Sequence, residues 1–200
     1  ANLLRVHALV SIQDIVNAED LWRDLEESST APNCFFQSYA WCKSWAEHHG
    51  DERHQPVILM LTRNTKAIAI LPLMQVMVRG GIKVMRALGE PHTQYTNLLT
   101  QNGSLDDAAT DVLREALHSW PNIDAIFVQY VPELSPLQKV FGKFSEIPTL
   151  RNEASQYELK TFSSVEAFTK SLPVRRRQAQ RRAASALQGD GPLLLEVIWP

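Results

Sequence analysis

The chain has 200 residues, 44% of them hydrophobic and 21% charged, with a formal net charge of −2. This composition excludes a disordered chain, which would lack the apolar content to offset its ordering entropy. The near-neutral balance excludes a global basic footprint for nucleic acid or an anionic membrane. The only two cysteines, Cys34 and Cys42, exclude a disulfide scaffold and lead us to expect a reducing cytoplasm.

At about 100–200 residues per domain, the length predicts one domain or one and a fraction. The longest apolar stretch, Ala67 to Val78, is interrupted by Pro72 and Gln75. It falls well short of the ~20 residues a membrane helix needs, so no membrane span is expected. The N-terminus lacks the basic, apolar and small-residue layout of a signal peptide and has no initial methionine, which points to a processed chain or a fragment.

Leu3 to Val10 reads as a strand. A helix follows, with Asn17 as cap and Ala18, Leu21, Trp22 and Leu25 at helical spacing. Ser38 caps a second helix that ends at Gly50, with Trp41 and Trp45 on one face as core anchors. Val57 to Leu61 and Lys66 to Val78 read as strands joined by a hairpin at Asn64–Thr65. Pro72 marks an edge, a bulge or a break in the longer one. Gly80–Gly81 turns the chain into Ile82 to Leu88, completing a three-stranded antiparallel meander.

Gly89 to Asn97 is a polar loop, and Leu98–Leu99 a possible short strand. Ser104, with Asp107 three residues on, predicts a capped helix whose apolar stripe runs from Leu105 to Trp120. Ile123 to Val131 reads as a strand. Ser135–Pro136, with Gln138 completing a capping box, opens another helix. Strands are expected at Glu146 to Leu150 and Gln156 to Thr161. Ser163 with Glu166 opens a short helix, and Pro173 resets the chain into a long basic helix ending at Gly189 or Gly191. A last strand is expected over Leu193 to Trp199.

That basic helix carries Arg175, Arg176, Arg177, Arg181 and Arg182. Helical spacing puts Arg177 with Arg181 and Arg175 with Arg182, around an apolar stripe of Leu172, Ala179, Ala183 and Leu187. Guanidinium forks match phosphate or carboxylate, so the residues form a candidate cofactor- or anion-binding site; a solvated face is the bland alternative. In the polar loop, His92 is a candidate general base and Tyr95 a candidate acid or donor, against the reading of a structured turn. His48, His49 and His54 lack the regular four-ligand spacing of a structural metal site, so no metal is expected. Cys34 and Cys42 read as buried structural thiols, against the alternative of a Cys nucleophile with His92 as base. G-x-G-x-x-G, G-x-x-x-x-G-K-[ST] and G-x-S-x-G are all absent from the sequence.

Several stretches taken together resemble one family. These are Phe36-Gln37-Ser38-Tyr39-Ala40-Trp41 with Trp45, Ile70-Leu71-Pro72-Leu73, Gln94-Tyr95-Thr96-Asn97-Leu98-Leu99, and Leu172 to Arg182 followed by Gly191-Pro192. Their order is similar to the CelD-like family, associated with cellulose biosynthesis and classed with the GNAT-type acyltransferases. The resemblance implies an α/β fold, a GNAT-like mixed sheet flanked by helices, as the first half of a tandem GNAT/FemAB-like protein that is bacterial and cytoplasmic. It implies a GNAT-like domain over 1–162 and the opening of a second, truncated unit over 163–200.

By the same resemblance, the chain is the N-terminal portion of an enzyme moving an acyl group from acyl-CoA (acetyl-CoA) to an amine or hydroxyl of a small-molecule or cell-envelope acceptor. Gln94 and Asn97 then belong to the acceptor loop, and a second GNAT-like half is the expected partner. Such enzymes cradle the cofactor pyrophosphate in a Gly-rich turn leading into a helix, and the [QR]-x-x-G-x-[GA] pattern of that turn is absent here. Two alternatives follow: a non-catalytic module that binds an acceptor or partner, and an RNA contact through the arginine helix, against which the overall charge argues.

Overall fold

The computed structural model describes residues 3–31, 34–142 and 161–189. The chain divides into two compact units, Ala1–Leu150 and Arg151–Pro200.

The first unit is organised by the long apolar hairpin. Strands β1 (Leu4–Leu9), β2 (His54–Arg63), β3 (Lys66–Met77) and β4 (Lys83–Ala87) lie side by side and antiparallel, and β6 (Ala125–Ile126) adds to β4 in parallel. The short β5 (Leu99–Thr100) shares an edge of β3 with β4. Val57 to Leu61 are all buried because helices cover both faces of the central strands, which is why this segment is a continuous apolar run rather than an alternating one. The Asn64–Thr65 turn forms as expected. Asn64 takes a left-handed φ of 57°, and its side chain accepts from Leu3 N at 3.1 Å, fastening β1 to the hairpin.

On one face pack α1 (Ile12–Asn17), α2 (Glu19–Ser28), the 3-10 turn Phe35–Gln37 and α3 (Tyr39–His49), around Trp22, Tyr39, Trp45, Ile58, Met60 and Met74. On the other pack α4 (Asp107–His118) and α5 (Leu137–Phe141), around Leu59, Leu71, Leu73, Leu113 and Leu137. This is the expected mixed sheet flanked by helices.

Several helix starts differ from the sequence reading. Asn17 is not a cap: it ends α1, which Ser11 caps with Asp14 in a reciprocal box, and α2 restarts after Ala18. Ser104 bonds Asn102 instead, and Asp106, extended at φ −70° and ψ 164°, caps α4 through Ala109 N at 2.8 Å. Gln138 reaches Pro132 O rather than closing a box on Ser135. The strand expected over Ile123 to Val131 shrinks to β6, because its ladder with β4 holds only two register pairs and the chain turns at Tyr130, φ 56°.

In the second unit, α6 (Val165–Ser171) is capped by Ser164, one residue later than expected, and Phe162 packs edge-on against Phe168 at 5.3 Å. The basic helix α7 (Val174–Gly189) starts on Pro173, whose carbonyl accepts from Arg176 N and Arg177 N. Of its predicted stripe Leu172, just before the helix, is buried, but Ala179 and Ala183 are exposed, and Arg177 is half-buried. The strands expected at 146–150, 156–161 and 193–199 lie outside the described residues, Thr161 excepted.

Candidate functional site

Pro72 explains where the site arises. Its carbonyl accepts from Leu88 N at 3.2 Å, so its nitrogen faces the same edge, away from β2. The missing N–H therefore costs no bond to β2, and it falls where the partner of β3 changes from β5 to β4. β4 and β5 are collinear pieces of one edge: Leu73 pairs Ala87, and Ile70 pairs Leu99. While β3 advances two residues between those pairs, the opposite chain takes eleven, Leu88 to Leu98. The polar loop is this excursion.

Its inner side is anchored. Gly89, at φ 86°, lies against α3, where an added Cβ would stand 2.6 Å from Thr93 Oγ1 and 3.1 Å from Trp41 Nε1. Only glycine fits that close approach at positive φ. Thr93 Oγ1 donates to Leu88 O at 2.5 Å, and Gln37 Nε2 donates to Tyr95 O at 3.0 Å. Gln37 O in turn accepts from Trp22 Nε1 at 3.0 Å, which ties the loop to the deepest indole of the core. Asn97 is buried, its Oδ1 accepting from Ser135 Oγ at 2.6 Å and from Leu98 N at 2.8 Å. His92, Gln94 and Tyr95 face outward, and no carboxylate orients His92 among the described residues. Asn97 is thus built into the scaffold, whereas the outward trio is free to meet solvent.

Beside the excursion lies a cleft of about 310 Å³. It is lined by His54, Met74, Val76, Arg86, Glu90, Pro91, Gln129 and Tyr130. Arg86 pairs across from Met74 in the sheet and, next to the inward Met85, projects from the cleft face. Its guanidinium lies 5.4 Å from the centre of the Phe127 ring, and its Nε stands 3.0 Å from Glu90 Oε2. The Glu90 side chain is only 5% exposed.

Burial pushes the Glu90 carboxyl above its ordinary range, with the Arg86 charge and the Ala87 and Gln129 N–H groups pulling the other way. Arg86 and Glu90 form an ion pair without hydrogen-bond geometry, and Glu90 Oε1 has no hydrogen-bond partner. An orphaned buried acceptor costs about 1–3 kcal/mol, which makes it a place to look for a ligand. Tyr130, left-handed and 52% exposed, closes the wall, its carbonyl held by Thr96 N at 3.1 Å.

Sequence reasoning overlooked Arg86, Glu90, Gln129 and Tyr130. His92 and Tyr95 do not line the cleft. Burial pushes Cys34 up to about 11 and Cys42 well above the ordinary thiol value, so neither is a thiolate at neutral pH. Among the described residues no group of three or more metal-ligating side chains gathers, and no helix is long and apolar enough to cross a membrane.

The start of α4, reached from β5 through Gly103 at φ 73°, is where a Gly-rich turn would offer N–H groups to a pyrophosphate. One of those donors already meets a carboxylate. Asp106 caps Ala109 N and pairs with Arg63, and Asp107 adds a second negative charge. Ala109 N and the Arg63 charge hold the Asp106 carboxyl below its usual range. These residues do not fit a bound phosphate.

No family model and no curated protein matches the chain. Among solved structures it is similar to an aminoglycoside acetyltransferase from an uncultured soil metagenomic sample, at TM-score 0.45 and 15% identity over 78% of this chain and 99% of that one. A possible acetyltransferase from Clostridium difficile 630 is similar at TM-score 0.45 and 9% identity, over 78% and 98%. Glucosamine-6-phosphate N-acetyltransferase from Arabidopsis thaliana is similar at TM-score 0.39 and 13% identity, again over 78% and 98%.

Proposed function

We propose that the chain is the acceptor-binding part of a GNAT-type acyltransferase, in a bacterial, cytoplasmic, CelD-like protein. In this reading a GNAT-like domain spans 1–162, and 163–200 opens a second GNAT-like half. Acyl-CoA supplies the activated acyl group, and a small-molecule or cell-envelope acceptor presents an amine or hydroxyl. The observation that carries the reading is the nearly dry Glu90 carboxylate, with one oxygen unpartnered, at the cleft beside the Leu88–Leu98 excursion. A carboxyl whose affinity for a proton burial raises is a stronger base toward an acceptor nitrogen or oxygen than an exposed one. Arg86 holds it in place, and Met74, Val76 and Pro91 give the cleft an apolar strip beside His54 and Gln129.

The cofactor phosphates are held elsewhere than at α4 in this reading. The arginines of α7 are the anion-binding candidates: no carboxylate lies within ion-pair distance of any of them among the described residues. His92 and Tyr95 keep a role only at the outer rim of the acceptor loop, with Gln94.

The test is thiol release from acetyl-CoA in the presence of a panel of amines and alcohols, using the chain in its full reading frame. Turnover should appear with some acceptors and fall at least ~100-fold in Glu90→Gln, the usual scale of a lost general base. The second reading, a non-catalytic acceptor-binding module, is favoured by the acid-filled start of α4. Calorimetry with acetyl-CoA separates the two: no heat at millimolar cofactor, with acceptor binding retained, supports the module.

A further inference from the structure

Two unsatisfied groups of opposite character stand side by side in the cleft. Glu90 Oε1 is a buried acceptor without a partner, on a side chain 5% exposed. Next to it, across the 3.0 Å contact of Arg86 Nε with Glu90 Oε2, is the Arg86 guanidinium, 31% exposed. Its outer two nitrogens have no partner among the described residues. A guanidinium fork asks for a carboxylate or another planar anion, and a lone carboxylate oxygen asks for an N–H or O–H donor. A molecule satisfying both must carry a donor and an anion only two or three bonds apart. The rest of the wall is mixed, Met74, Val76 and Pro91 supplying an apolar strip beside His54, Gln129 and Tyr130, and the volume of about 310 Å³ lies at the small end of the ~300–1,000 Å³ usual for ligand sites.

We infer that this cleft binds a small α-amino acid with an apolar side chain, its carboxylate on Arg86 and its amino group on Glu90. The side chain lies along Met74, Val76 and Pro91. The inference deepens the acyl-acceptor reading and rests on it for the role of the bound molecule, whose amino group would be the one acylated. Binding itself needs no acyl donor, so the two can fail separately.

The experiment is calorimetry without acyl-CoA, using L-leucine and its two halves: 3-methylbutylamine, which lacks the carboxylate, and 4-methylpentanoate, which lacks the amine. L-leucine should bind at least tenfold more tightly than either half. Arg86→Gln should erase the advantage over 3-methylbutylamine, and Glu90→Gln the advantage over 4-methylpentanoate, with both variants checked for folding by circular dichroism. The unsubstituted protein gives an independent readout. The carboxyl carbon resonance of Glu90 should shift on adding L-leucine and stay in place on adding 4-methylpentanoate. Equal affinity for leucine and its better half, or leucine binding indifferent to both substitutions, overturns the inference. So does an unmoved Glu90 resonance, which would leave Oε1 to a water molecule. Leucine binding without thiol release from acetyl-CoA would sustain the inference and overturn only the acyltransferase reading.

Discussion

The Leu88–Leu98 excursion and helix α7 are the two segments whose charged and polar residues stand out in the sequence, and they hold charge in opposite ways. The excursion, with Arg86 just before it, keeps one carboxylate almost out of water, against a single guanidinium and an anchored loop. Helix α7 carries five arginines, four of them exposed and Arg177 half-buried. Density of charge along a chain measures electrostatic reach toward a distant anion. Chemistry at a bond needs a charge whose energy the surroundings have changed, and burial does that.

Substitutions break this comparison unequally. The largest effect is expected at Gly89. Gly89→Val would drive a side chain into Thr93 Oγ1 and Trp41 Nε1 at a positive φ, and thermal unfolding should show a loss of roughly 2–4 kcal/mol together with loss of the cleft's ligand response.

Next is Arg86→Met, which strands the Glu90 carboxylate and should cost roughly 1–3 kcal/mol at neutral pH. The sign of the pH dependence follows from the raised carboxyl. Stability contributed by the protonated Glu90 is fully present below its ordinary value of 4.5 and is lost as pH climbs through the higher value it has in the folded protein. Melting temperatures of the unsubstituted protein relative to Glu90→Gln should therefore fall as pH rises through that window. A flat difference would mean the carboxyl is not desolvated.

Asp106→Ala removes the cap of α4 and the partner of Arg63, for about 0.5–2 kcal/mol by chemical denaturation. Smallest in stability is the pair Arg177→Ala with Arg181→Ala, expected within about 0.5 kcal/mol. The same pair should weaken any binding of acetyl-CoA or of a single-stranded RNA oligonucleotide, and for RNA should flatten its salt dependence. Binding indifferent to both salt and substitution would remove α7 as an anion site.

Much of the fold was legible from local signals. The Asn64–Thr65 turn, the Gly80–Gly81 turn and the apolar runs of β2 and β3 each follow from short-range rules, and so did the meander. The helix starts were read less well. Ser11, Asp106 and Ser164 compete with neighbours of equal capping capacity, and only backbone conformation decides between them. Trp41 and Trp45 both pack into the first-face core as expected, Trp45 buried and Trp41 partly so, but Trp41 also lies against Gly89 of the excursion, which the sequence did not show. The candidate site was the least legible part. His92 and Tyr95 have the reactive chemistry but stand outside the cleft, whereas Glu90 and Arg86 are two charges four apart with no local signal of burial.

What the sequence alone determined is therefore the strands of the meander, the helical stripes of the first unit and the place where a polar loop leaves the sheet. Backbone propensity and apolar spacing act over a few residues and can be read there. What only the tertiary structure decided is which polar groups lose their water. That depends on the pairing of Met74 with Arg86, on the shared edge of β3 and on where Gln129 and Tyr130 return. Desolvation is a property of everything surrounding a group, and residues far apart in the chain supply it.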